Sequence, residues 1–366
     1  MKNALIFVFV LLLNSCGGGG GGGGSTPAAA NYVAYVADNI NTNGLVSAFS
    51  INAATGALTQ ISGSPFTAGA NPNSVAVDPS GKFAYVANSA STSISGYTIT
   101  PSTGALTAIA GSPFSAPVGS LPRAVTVHPN GKFLYVAGGN LNAVVEYSIN
   151  ATTGALTQLG SVAAGTDTFA LAINPAGTLL YAANEGSNNI SGYTINTTSG
   201  ALASTGAPVA AGTNPFSLVV DPSGKFLFAA NSGSSNVSAY QINTLTGGLT
   251  SVAGSPFAAG SGADHIALDM TGQFAYVSNS GANNVSIFQV NTTTGALLAA
   301  GAPAVTGTGP GALTVDPTNK FLFVVNQGSG TVSGYSINAT TGALTTTGAP
   351  VGGVITPFSI VAVRTQ

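Results

Sequence analysis

The chain has 366 residues, of which 45% are apolar and only 4% are Asp, Glu, Lys or Arg, with a net charge of −2. So few cations exclude a basic nucleic-acid-binding surface, and so little charge gives almost no long-range steering of charged partners. Abundant Val, Ile, Phe and Tyr, with Ser, Thr, Asn and Gly as the polar complement, describe a folded β protein, because disordered chains are charge-rich and apolar-poor.

The first segment reads "MKNALIFVFVLLLNSC": one Lys, an apolar run from Ala4 to Leu13, then Cys16. The run is too short to span a bilayer as a helix and has the form of a secretory signal over residues 1–15. Leu13-Asn14-Ser15-Cys16 resembles a bacterial lipobox, which implies cleavage before Cys16 and its lipidation. The competing reading is an ordinary signal peptide with an incidental Cys. Residues 16–30 follow as a tether, because the unbroken glycine run from Gly17 to Gly24 cannot pack and behaves as flexible coil. Gly17, where Asp would signal retention, resembles outer-membrane sorting. The expected location is therefore the cell envelope, at the outer membrane or cell surface. Cys16 is the chain's single cysteine, so an intramolecular disulfide framework is excluded.

Residues 31–366 are built from a repeat. The phrase "YVAN" and its variants end at Asp38, Asn88, Gly138, Asn184, Asn231, Asn279 and Asn326, at spacings of 50, 50, 46, 47, 48 and 47. A second phrase, "TGALT", recurs with its Gly at 56, 104, 154, 200, 247, 295 and 342. Each unit reads as four short strands punctuated by Gly, Pro, Asn and Ser, with no helical periodicity. In residues 216–254 these are "FSLVVDP", "KFLFAAN", "NVSAYQIN" and "GLTSVAG". A four-stranded unit of this length is a propeller blade, and seven units predict an all-β, seven-bladed propeller. The strands are labelled A to D from the central channel outward. The first unit begins at its B strand, "NYVAYVADN", whereas an extra A-type phrase, "PFSIVAV", occupies 357–363. The C-terminal strand is thus expected to complete the first blade, removing two open sheet edges.

This register sorts the few charged side chains. A–B and C–D turns share one face, here called the bottom; D–A and B–C loops share the top. His128 falls in the A–B turn, in the column of Asp78, Asn174, Asp221, Asp269 and Asp316, where a side chain accepts hydrogen bonds from turn backbone. Arg123 begins the same A strand, about 16 Å away along extended chain. Lys82, Lys132, Lys225 and Lys320 share the bottom turns as solvated residues. The top holds Arg123, Asp264 in the same column, His265 in the column of Ala124, the loop residue Asp167, Glu185 after strand B, and Asp38 at its end in the first blade.

Blades carrying "TGALT", "GSPF" and "VHPNGKFLYVA" resemble the seven-bladed propeller lactonases, the 6-phosphogluconolactonase-type family related to muconate-lactonising enzymes. The resemblance spans residues 31–366 and implies ring opening of a lactone. A His or Glu would move a proton, and an Arg would bind the substrate anion or oxyanion. The family motif resembles "GPRH", "HPNGKFLYV" and an "NE" pair. Here Arg123 is kept, but Ala124 stands in the His position and Gly138-Gly139 in that of Asn-Glu; an Asn184-Glu185 pair occurs one blade later. The expected activity is hydrolysis of an uncharged or weakly anionic lactone, with Arg123 as the anion or oxyanion contact, His265 or Glu185 as the general base and Asp264 as an orienting partner. The alternative is a non-catalytic propeller that presents its top face to a polysaccharide or protein. No cofactor, metal centre or nucleic acid is expected. The expected molecule is a monomer that meets the membrane through its lipid anchor only, with a small lactone, glycan or protein ligand at the channel mouth.

Overall fold

The computed structural model describes residues 31–40 and 42–365; Cys16, the signal segment and the tether lie outside the described residues. Among the described residues every regular element is a β-strand, and the strands form seven antiparallel sheets arranged as blades. Blade 3 is representative: A is Pro122–Val127, B is Phe133–Gly138, C is Ala143–Ile149 and D is Leu156–Ala163. In five blades the outer strand is broken, and a second short segment, such as Phe66–Thr67 or Val209–Ala210, pairs with C beyond the break.

The ring closes as expected. Pro357–Thr365 pairs antiparallel with Asn31–Asp38, so the C-terminal strand is the A strand of blade 1. This first B strand enters from the bottom face, where Asn31 donates to the Ser102 carbonyl at 2.8 Å and the Thr365 hydroxyl to that of Pro101 at 2.7 Å.

The core is divided among the blade–blade interfaces. Val33, Tyr35 and Ala37 pack against Val75, Ala84 and Val86 of blade 2, whereas Ala34 and Val36 face Phe321, Phe323 and Val325 of blade 7. Alternate residues point to opposite faces, and both faces are covered by neighbouring sheets. That is why the B strands read as continuous apolar runs instead of alternating ones.

The two repeat phrases are each other's packing partners. Every "TGALT" Gly has a positive φ, and at Gly154 or Gly200 a Cβ would collide with Phe83 or Phe133, which open the preceding blade's B strand. Tyr85 and Tyr135 lie two residues further on and donate to the carbonyls of the same glycines at 2.8 Å. The bottom turns hold themselves. Asp78 Oδ1 accepts from the Lys82 and Phe83 amides at 2.8 and 2.7 Å, and Asp221, Asp269 and Asp316 repeat the arrangement. His128 takes this place in blade 3. Its Nδ1 accepts from the Asn130 amide at 3.0 Å, so Nε2 carries the proton toward Gly177 O of the next blade at 2.7 Å. With 2% of its surface exposed, His128 is a turn and interface residue, as its column indicates.

The candidate active site at the channel mouth

The inner strands bulge near their second residue, as between Pro122 and Val125, Pro215 and Ser217, and Ala263 and His265. A bulge interrupts pairing and re-aims a side chain, and here it turns successive second residues toward the mouth. That column reads Asn73, Arg123, Phe169 and Phe216 in blades 2 to 5, then Asp264, Gly311 and Phe358 around the remainder. Most residues one step deeper are small (Ser74, Ala124, Ala170, Ser217), and His265 is the bulky exception. Asn73, Arg123, Phe169, Phe216 and Phe358, with these deeper residues, line a cavity of about 410 Å³ that continues down the inner strands to Thr126 and Val361. Asp264 and Gly311 stand outside its lining.

Phenylalanines fill the centre. The Phe169 and Phe216 rings lie 3.9 Å apart, and Phe358 reaches them from the opposite wall at 6.4 and 6.3 Å. Beneath them His265 packs edge-on to Phe216 at 5.4 Å and to Phe358 at 6.5 Å. Its Nδ1 is buried without a hydrogen-bond partner, and burial pulls its pKa down to about 4, so the ring is neutral at pH 7.

The charged residues form an arc above this aromatic floor. Arg123 lies over the Phe169 ring, 5.3 Å from its centroid, and its Nε is 3.7 Å from Asp167 Oδ1. Both atoms are buried and neither makes a hydrogen bond. Gly139 leaves the pair its space: a Cβ there would sit 2.7 Å from Asp167 Oδ1 and 3.1 Å from Arg123 Nε. Asp167 has φ of 51°, held by Asn142 Oδ1, which accepts its amide at 2.8 Å; its carbonyl accepts the Glu185 amide at 2.9 Å. Burial raises the pKa of Glu185, and the Asp167 charge raises it further. The Arg123 charge and a 3.5 Å hydrogen bond from Asn214 oppose the rise. Asp264 is pushed up to about 6, first by burial; the Ser280 hydroxyl counters this, and the Glu185 charge adds to it.

The structure therefore brings Arg123, Asp167 and Glu185 together, with Asp264 at the far end of the arc. It sets His265 one step deeper, behind Phe216. Asp38 is fully buried, accepting from Ser47 Oγ at 2.6 Å and the Ile355 amide at 3.2 Å. The phenylalanine trio had a sequence signal, the second residue of each A strand read as a column. Pairing of Asp167 with Arg123 had a fainter one, the glycine at 139. Buried Glu146 carried no repeat signal; its Oε1 accepts the Leu202 amide of the adjacent blade at 2.8 Å, a latch between blades 3 and 4. Among the described residues no three His, Cys, Asp or Glu side chains converge as metal ligands.

Fold and mouth define a seven-bladed propeller with an arginine–carboxylate rim around a channel floored by aromatic rings. The model of the family "Lactonase, 7-bladed beta-propeller" matches residues 26–169, 114–263 and 252–357, and the chain belongs to that family. No curated protein matches it. Among solved structures, a putative 6-phosphogluconolactonase from Bacteroides fragilis superposes with a TM-score of 0.79 at 23% identity, covering 93% of this chain and 100% of that one. The periplasmic gluconolactonase PpgL of Pseudomonas aeruginosa gives 0.75 at 18% identity, covering 92% and 100%. Hydrazine synthase of Kuenenia stuttgartiensis gives 0.60 at 19%, covering 82% and 94%. At these identities the likeness is one of fold.

Proposed function

We propose that the chain hydrolyses a lactone at the top-face mouth. One observation carries the reading: a carboxylate of raised pKa, Glu185, stands in the same arc as a guanidinium whose Nε is buried without a hydrogen bond, that of Arg123. Glu185 would take a proton from water as the water oxygen bonds to the lactone carbonyl carbon. Arg123 would face the resulting oxyanion. Collapse breaks the ring C–O bond, and the leaving ring oxygen takes the proton, giving the hydroxy acid. Asp264 would orient the attacking water, and the phenylalanines would support the ring's apolar face. Membership of the lactonase family, and the lactonases among the structural neighbours, support this chemistry.

A lactone panel followed by pH-stat tests it. Arg123→Ala is expected to lower turnover by about 10²–10³-fold and Glu185→Gln by about 10²–10⁴-fold, with His265→Ala milder than either. The rate should fall as pH drops through the raised Glu185 pKa, because the base acts deprotonated. Turnover indifferent to Arg123 and Glu185 sinks the site.

A second reading, a non-catalytic propeller for a polysaccharide or protein, is favoured by the contact of Phe169, Phe216 and Phe358 across the channel, which leaves a ligand only the rim. Absence of turnover on every lactone would select it. We further propose that the protein is exported and anchored through Cys16. Its "LNSC" motif supports this, and a fatty-acid analogue that fails to label the chain would refute it.

A further inference from the structure

We propose that Asp167 is the selectivity element of the mouth: it holds Arg123 in a loose ion pair, so that the site admits a neutral lactone and refuses anionic ones. The inference rests on the reading of Arg123 as the group that meets the reacting carbonyl, and it goes further by excluding phosphorylated and carboxylated substrates.

The pair is built into the fold from three directions. Gly139 supplies the room, since any Cβ there would strike both partners. Asn142 fixes the Asp167 amide, and the Glu185 amide fixes its carbonyl. Phe169 supports the guanidinium from one face. The 3.7 Å separation exceeds a charge-assisted hydrogen bond, normally about 2.7–2.9 Å, and the two facing atoms are both buried, so a visitor meets the remainder of a guanidinium whose side chain is 28% exposed. A neutral carbonyl oxygen, and the oxyanion it becomes, can accept from the terminal N–H groups of the guanidinium while Asp167 stays in place. A ligand carrying a full negative charge in its ground state meets Asp167, with Glu185 and Asp264 further along the arc, against a single cation. The same imbalance favours departure of the hydroxy-acid product once it ionises.

Asp167→Asn isolates the effect and keeps the fold, because Asn71 and Asn214 occupy this loop position in blades 2 and 5 with φ of 51° and 52°. Arg123 and Arg364 are the chain's two arginines, so a protein labelled with ¹⁵N at arginine Nε gives two signals, and exposed Arg364 serves as internal control. Each protein is titrated with inorganic phosphate. In Asp167→Asn the Arg123 signal should move with an apparent Kd about tenfold lower than in the parent, the scale of one partly solvated charge. Gly139→Ala, which crowds the pair apart, should shift the response in the same direction. An Arg123 signal that responds to phosphate alike in the parent and Asp167→Asn, or in neither, overturns the proposal. Turnover plays no part in this readout, so a chain that hydrolyses no lactone defeats the preceding reading while the titration still decides this one.

Discussion

Asp38 and Asn88 hold the same place in successive blades, yet only one of them ionises. Asn88 donates from Nδ2 to Ser93 and Ser95 at 3.2 and 3.0 Å, tying the end of strand B to strand C. Asp38 can only accept, from Ser47 and Ile355, and burial pushes its pKa from 3.8 up to about 6. A carboxyl raised on folding contributes stability below its unfolded pKa and loses it as pH climbs through the folded value. At neutral pH this position therefore costs on the order of 2–3 kcal/mol. Asp38→Asn, able to donate to Ser47 as Asn88 does to Ser95, should raise stability at pH 7 and flatten its pH dependence between about pH 4 and 6. Urea unfolding at both ends of that window checks it, and a variant less stable at pH 7 contradicts the sign. Repeat columns made such residues legible: His128 was separable from Arg123 because its column held Asp and Asn. The Arg123–Asp167 pair was legible only faintly, through Gly139, since no column reports which loop folds over which glycine.

At the scale of a blade, substitutions come in sets. Where blades 2 and 4 to 7 have Asn at the end of B and hydroxyl or amide residues five and seven positions later, blade 3 has Gly138, Ala143 and Val145. The hydrogen-bonded unit seen at Asn231, Asn236 and Ser238 is replaced as a whole by apolar packing, with Ser120 buried alongside. Against the family motif Gly138 looked like a lost functional residue; among its neighbours it is a consistent structural variant. Gly138→Asn alone should destabilise by about 1–3 kcal/mol, the penalty for a buried amide without partners. Adding Ala143→Ser and Val145→Ser should recover much of that loss. Chemical denaturation of the single and triple variants measures the coupling, and equal stabilities would show the set to be incidental. The "TGALT" and "KF" phrases were readable as repeats, but their reason emerges only when one blade's glycine is seen against the preceding blade's aromatic ring.

For the whole molecule, stability is a closed cycle of blade interfaces, and the 7–1 interface depends on the last strand. Ile360 joins the cluster formed by Phe49, Phe321 and Phe323. Removing residues 357–366 should leave the Asn31–Asp38 edge unpaired, replacing a single cooperative unfolding transition by a lower, broader one with a tendency to associate. Calorimetry and light scattering on the truncated chain test this; an unchanged transition would show that closure contributes little. Seven blades and their closure were legible because periodicity and the displaced A strand are properties of sequence order. The mouth was only partly so, because Phe358 meets Phe169 and Phe216 across a diameter that the chain order does not reveal. The likeness to hydrazine synthase marks the same boundary, since this scaffold is shared by proteins of different chemistry. The entry of the first B strand at the bottom also sets a direction. Whatever precedes Asn31 joins the disc on the face opposite Arg123 and Glu185. A label or fusion attached at that end therefore meets the underside and leaves the mouth unobstructed.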